Sequence, residues 1–417
     1  VTTTNAITDE MDFLDPTSYA DGRAEEWLTY LRNNQPVWRQ PDPAGHPGVW
    51  FVTKHADVNA VSRDPVTFSS DRANGGIDGL TEAEKEQTVR ALAGQHPMFI
   101  MLDPPEHGLR RRNLQPGFSA KAITQYAERI RVITNRTLDR VLDQKEFDFI
   151  SDVAVEIPLN LVADLIGVPD EDRHELFQDV ENTERPADPA AYHDTERVAR
   201  MAASIDAVKE YGRRLLLKRM EEPTDDIATR LALSTAHGKP LPIEESMSNF
   251  YMLWGAGAET TRTALAWGLW AFIQNPDEYR KVRENPDLLD GPAVEEVLRW
   301  ATPVHQFRRN VMQDTEIQGV PIKAGEAVTI WYTSANRDEE VFEDPFRFDV
   351  TRAKNPQLSF GGGGPHFCLG AYLAKLELNI VFREIARRVP DPQLLAEPTR
   401  LPSHRFRGIT TMPVRFA

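Results

Sequence analysis

The chain has 417 residues, 41% hydrophobic and 27% charged, and its 64 acidic against 48 basic side chains give a net charge of −16. That apolar fraction is too high for disorder, no run reaches the ~18 apolar residues of a spanning helix, and an acidic surface repels nucleic acid and anionic membranes. Cys368 is the only cysteine, which excludes an internal disulfide and fits a reducing cytoplasm. Val1 to Asp15 is polar and acidic, unlike a secretory signal. A soluble, cytoplasmic protein is expected, with no nucleic acid partner.

Near the N-terminus, Pro36-Val37-Trp38-Arg39 and Gly48-Val49-Trp50-Phe51-Val52-Thr53 read as paired strands around the turn-rich Pro41 to Gly45. From Ala120 to Asn285 the pattern is mainly helical, punctuated at Pro169, Pro223 and Pro240. An apolar pattern runs from Ile243 to Gln274 and stops at Asn275-Pro276. At helical rise it would span roughly 48 Å, enough to cross a whole domain. Strand signals return after Pro303, in Glu316-Ile317-Gln318, Ala327 to Tyr332 and Thr410 to Phe416. A last helix begins near Leu369 and puts Leu369, Leu373, Leu376 and Ile380 on one face. Strands at both ends and helices between predict a mainly α, α+β unit whose small sheets pair distant segments. One domain over residues 1–417 is expected, with residues 1 to about 12 flexible.

Before the last helix lies Phe360-Gly361-Gly362-Gly363-Gly364-Pro365-His366-Phe367-Cys368-Leu369-Gly370. Four glycines allow a tight path and close approach of a large flat partner. A cysteine at a helix N-terminus is favoured as thiolate. Three other readings stand beside a thiolate metal ligand: a small buried hydrophobe, a phosphate loop lacking its Lys-Ser/Thr, and a Cys368–His366 nucleophile pair.

The loop resembles the haem-binding loop of the cytochrome P450 family, in which the cysteine is the axial iron ligand. Other segments match in order. Ala256-Gly257-Ala258-Glu259-Thr260-Thr261 resembles the oxygen-activation motif of the family's long helix, and Glu296-Val297-Leu298-Arg299 its Glu-x-x-Arg motif. Pro345-Phe346-Arg347-Phe348 resembles its later arginine segment. His107 and Arg111, in Asp103-Pro104-Pro105-Glu106-His107-Gly108-Leu109-Arg110-Arg111, and Arg309 resemble the haem-propionate partners. The resemblance runs from about Phe13 to Phe416. One departure is that Phe360 precedes Cys368 by eight residues, where the family loop usually has seven. Longer loops of this kind resemble those of actinobacterial members that hydroxylate sterols and methyl-branched lipids.

The resemblance implies the P450 fold, with Cys368 as metal ligand to a non-covalent haem b, since no Cys-x-x-Cys-His attachment motif occurs. His107, Arg111, Arg309 and His366 would hold the propionates, and the Gly370 N–H would bond the sulfur. Glu259 and Thr260 would form a proton relay, with Thr260 bonding back to the Ala256 carbonyl and opening a groove in the helix. Glu296, Arg299 and Arg347 would be structural. With no flavin or iron–sulfur region before Ala417, electrons are expected from NAD(P)H through a separate ferredoxin or flavodoxin and its reductase. Arg110, Arg112 and Lys375 are candidates for docking that partner, and a monomer is expected. Met98, Phe99, Ile100, Leu253, Ala256, Val304, Phe307 and Phe406 would line an apolar pocket.

The implied activity is insertion of one oxygen atom from O2 into an unactivated C–H bond of a small apolar substrate, a branched terpenoid, lipid or sterol. Epoxidation, C–C coupling and peroxygenase chemistry are alternatives, as is a haem-thiolate sensor without turnover. The intact Glu259-Thr260 pair favours oxygen activation.

Overall fold

Apolar strands from the two ends of the chain meet in one sheet. The computed structural model describes residues 10–91, 96–173, 176 and 195–416. The sheet joins β1 (Val37–Gln40), β2 (Val49–Val52), β3 (Phe68–Ser69), β4 (Gln306–Val311) and β5 (Ala327–Trp331) in the order β1-β2-β5-β4-β3. The first two form the antiparallel pair read from the sequence, with Val37 opposite Val52. The β2–β5 pairing is parallel and joins segments more than 270 residues apart, Trp50 lying opposite Val328. Every residue of β5 is buried, as its unbroken run Ala-Val-Thr-Ile-Trp requires of a central strand. The C-terminal strand Pro413–Phe416 pairs instead with Glu146–Asp148 and Pro392–Leu394 in a separate sheet.

The helices that position the site are α1 (His55–Arg63), α2 (Glu106–Leu114), α3 (Ala127–Gln144), α4 (Glu156–Ile166), α5 (Thr195–Glu221), α6 (Ile243–Gln274), α7 (Pro292–Ala301) and α8 (Ala371–Arg388). Helix α6 spans the predicted 32 residues. Its first turn carries Glu244 and Glu245, which complement the dipole, and Asn275 before Pro276 leaves the helical conformation (φ −126°, ψ 71°) and stops it. Helix α7 starts on Pro292, whose missing N–H costs nothing in the first turn.

Two apolar clusters flank α6. Its C-terminal half, Ala264 to Phe272, packs with Val297 and Leu298 of α7 and Leu378, Val381 and Phe382 of α8. Its N-terminal half packs with Leu161, Val162 and Leu165 of α4 and with Leu373 and Ile380 of α8. Leu369 and Leu376 lie against that second cluster, so all four apolar positions read on the cysteine helix face it. Residues 1–9 of the segment expected to be flexible lie outside the described residues. At its far end Met11 is buried in a cluster with Phe13, Phe51 and Trp331, so apolar packing begins before residue 12. Among the described residues no helix is long and apolar enough to cross a membrane.

Candidate active site

The glycine loop is shaped by the helix it lies on. Gly361, Gly363 and Gly364 have positive φ values of 95°, 86° and 73°, a region that costs other residues about 1 kcal/mol or more. A Cβ on Gly362 would stand 2.8 Å from the Asn59 Cα, and one on Gly364 would stand 2.4 Å from the Ser62 carbonyl oxygen. Arg63 closes the contact by donating to the Gly362 carbonyl at 3.1 Å. The loop therefore lies flat on the last turns of α1. Phe360, at the start of the loop, packs against the main cluster and meets Phe367 edge-on.

Cys368 donates its N–H to the Phe360 carbonyl at 2.9 Å. Its side chain is accessible although protein surrounds it, the arrangement of a thiol facing an internal cavity. Burial pushes the thiol upward, while the Gly370 N–H and the Arg111 charge favour the thiolate. No group of three or more His, Cys, Asp or Glu side chains suited to a metal gathers among the described residues. A metal at Cys368 would therefore take its remaining ligands from a prosthetic group.

Around the cysteine stands a set of donors short of acceptors. The rings of His107 and His366 lie 4.2 Å apart between centroids, and the Nε2 atom of each is buried without a hydrogen-bond partner. Burial is the main cause that pushes His107 down to about 4, with the Arg111 charge adding to it. His366 goes down to about 2, again chiefly through burial, with Arg309, His107 and Arg111 adding to it. Buried Arg309 donates to the Arg308 carbonyl at 2.8 Å, with Asp103 the carboxylate that acts on its charge. Imidazoles without partners beside two guanidinium groups match a buried, doubly anionic ligand. The carboxylates of a haem would supply the missing acceptors, so the residues present fit that group.

Helix α6 changes character in its middle. Ala256 is exposed, and Leu253, Gly257, Glu259 and Thr260 are half-exposed, within a helix otherwise buried from Thr263 to Phe272. The Thr260 Oγ1 donates to the Ala256 carbonyl at 2.9 Å, as the sequence predicted. Glu259 is held by Arg262 through Oε2, while its Oε1 is buried without a partner.

Beside the cavity, Glu296 and Arg299 are fully buried and joined by bonds of 2.8 and 2.7 Å. Arg299 also donates to the carbonyls of Asn336, Pro345 and Arg347. The expected third side chain is a correction. Arg347 is exposed and offers only its backbone carbonyl, whereas Arg352, five residues on, brings its Nε to Glu296 at 3.1 Å. The irregular turn after Pro345 directs Arg352 inward.

Three further expectations change. Phe99 is buried in the helical cluster, where its N–H donates to the Asn249 Oδ1 at 2.8 Å, so of its segment only Met98 and Ile100 are partly open. Arg110 is tied to Glu245 and Glu106, and Lys375 to Glu295, which leaves Arg112 as the exposed cation of that trio. Of the expected pocket residues Leu253, Ala256, Val304, Phe307 and Phe406, the two phenylalanines have Arg405 over their rings, so a lining that included them would not be purely apolar. Arg352 and Arg405 escaped the sequence reading, the first for want of a periodic signal and the second because its neighbours are distant in the chain.

The cytochrome P450 family profile matches residues 85–388. Over 410 residues the chain is 36% identical to a steroid C26-monooxygenase of Mycolicibacterium smegmatis, covering 97% of this chain and 93% of that protein. It is 35% identical over 373 residues to a methyl-branched lipid omega-hydroxylase of Mycobacterium bovis, covering 89% and 84%. A Mycobacterium marinum cytochrome P450 solved in complex with pseudoionone superposes with a TM-score of 0.87 at 31% identity, covering 96% and 97% of the two chains. An accessible cysteine facing unpaired imidazoles and arginines, together with these likenesses, makes this chain a member of the cytochrome P450 family, and thus of the haem-thiolate monooxygenases.

Proposed function

We propose that the protein hydroxylates an exposed methyl group of a neutral branched lipid, sterol or terpenoid. Haem b would be held by Cys368 and, at its propionates, by His107, Arg111, Arg309 and His366. The observation that carries this reading is the accessible Cys368 beside two buried imidazoles without partners. The two lipid-oxidising relatives support the substrate class.

Bound haem supplies dioxygen reduction and C–H oxidation, with the overall balance RH + O2 + 2e⁻ + 2H⁺ giving ROH and H2O. The protein's part is to hold, orient and deliver protons. The Gly370 N–H and the Arg111 charge favour the thiolate state of Cys368. Thr260 draws its hydroxyl to the Ala256 carbonyl, a local bond that would open a groove beside it. Glu259, on release from Arg262, would pass a proton toward the Thr260 hydroxyl. Met98, Ile100, Leu253, Ala256, Val304, Phe307 and Phe406 would exclude water and bind substrate by area, at ~25 cal/mol per Å². Electrons would come from NAD(P)H through a ferredoxin or flavodoxin and its reductase, docking near exposed Arg112. We take the protein as a cytoplasmic monomer, the single cysteine supporting the compartment.

The test pairs two variants. Cys368→Ala should abolish the strongly red-shifted Soret band of the ferrous carbonyl complex. Thr260→Ala should keep that band and substrate binding while at least half of the NADH consumed is diverted to hydrogen peroxide. Retention of the band in the first variant, or unchanged coupling in the second, would overturn the corresponding assignment.

A further inference from the structure

Arg405 belongs to the C-terminal turn that a backbone bridge between Val304 and Phe406 ties beside the sheet. Its guanidinium carbon lies 5.5 Å from the centre of the Phe307 ring and 5.2 Å from that of Phe406. Phe307 and Arg309 alternate onto one face of β4, and the Arg309 guanidinium carbon is 6.0 Å from the same Phe307 ring. Phe307 thus stands between two cations. Arg309 belongs to the propionate end, and Arg405 to the wall that continues away from it.

Two well-satisfied buried arginines set the standard for this one. Arg299 makes five hydrogen bonds and Arg407 makes four. Arg405 has one acidic partner, Asp78, and its Nε is buried with no partner at all. A guanidinium carries five N–H donors in a fixed fork, so most of this one's capacity is unused. The side chains of Arg405 and Asp78 remain 22% and 20% exposed, so protein does not seal the pair off. Spare donors framed by two aromatic rings suit an oxygen acceptor on an otherwise apolar ligand.

Charge selects the kind of acceptor. Asp78 already offsets the Arg405 charge, so a ligand carboxylate would meet a second carboxylate with no cation to spare. A carbonyl or hydroxyl oxygen needs only the donated N–H. We propose that Arg405, positioned by Asp78, is a specificity residue that binds a neutral oxygen on the branched substrate, and that the substrate is an oxygenated lipid and not a hydrocarbon or a fatty acid. This rests on the branched-lipid reading above and narrows it.

Three probes of one skeleton test it: phytone, a methyl ketone; pristane, in which a methyl branch replaces the carbonyl oxygen; and pristanic acid, its carboxylate. Titrations of the haem-loaded protein are followed by the substrate-induced spin-state shift. The wild type should bind phytone about tenfold more tightly than pristane, with pristanic acid weaker than phytone. Arg405→Met should bring the phytone-to-pristane ratio to about one while pristane affinity is retained. Asp78→Asn, which frees the guanidinium, should reverse the order of phytone and pristanic acid, and it stands as the test if the methionine variant fails to fold. An unchanged ratio in Arg405→Met, or an unchanged order in Asp78→Asn, overturns the assignment. Equal binding of all three by the wild type overturns it too while leaving the branched-lipid reading in place. Binding of none overturns both.

Discussion

Two groups of buried arginines around the cysteine loop are handled in opposite ways. Around Glu296 every donor has a place: Arg299, Arg352, the Asp349 N–H and the Asn355 amide all converge on one carboxylate. On the cavity side, Arg309 reaches one carbonyl and the two histidines present nitrogens without partners. Burying a polar group without a partner costs about 1–3 kcal/mol, and more for a charge. The saturated group is explained by folding alone. The unsaturated one makes physical sense only with a ligand in place, and this contrast separates support from function among residues of the same type.

Breaking the saturated group should have the largest effect. Glu296→Gln removes the carboxylate bonded to the guanidinium groups of both Arg299 and Arg352 and should destabilise the protein by about 3–5 kcal/mol in denaturant unfolding. A loss below ~1 kcal/mol would show that the network is dispensable. The unsaturated group should respond differently. His107→Phe, by removing a buried orphan nitrogen, should leave the haem-free chain as stable as before or more so, while haem retention falls about tenfold in a transfer assay to an acceptor globin. Equal damage to both properties would place His107 with the structural residues.

A third site sharpens the contrast through pH. Glu377 of α8 is buried, its Oε1 has no partner, and burial alone pushes its carboxyl up to about 8. Because the folded value lies above the usual carboxylate range, folding takes up a proton between the two. The stability contribution is full below the usual value and is lost as pH rises through about 8. Glu377→Gln should match the wild type near about pH 5 and melt about 2–4 °C higher above pH 8. Parallel melting curves across that range would mean that Glu377 is neutralised by a partner in solution.

What the sequence disclosed and what it withheld follow from how local each signal is. The limits of α6 were legible because a proline, an asparagine and an apolar run lie side by side. So was the β1–β2 hairpin. The Thr260–Ala256 bond was legible because a helix sets that spacing. Arg352 was not, since two arginines five apart in an irregular turn carry no period that says which one turns inward. The Arg405–Asp78 pair joins residues more than 300 positions apart in the chain, and only the assembled sheet and turns reveal it. Donor surplus, which identifies the cavity, is a property of the assembled packing and has no expression in any single segment.

The glycine loop carries a consequence for the order of assembly. The thiol is aimed by the loop's contact with α1, formed by residues 55–63, while the loop itself comes far later in the sequence. A chain growing from its N-terminus makes the receiving helix well before the cysteine, with about 300 residues to be gathered between them. Closing so long a loop is slow, though doubling its length adds only ~0.6 kcal/mol. Capture of the prosthetic group is thereby deferred until the chain has been made through Cys368, and a product cut short before it cannot present the thiol at all. The site reports on the integrity of the chain from α1 to the cysteine loop.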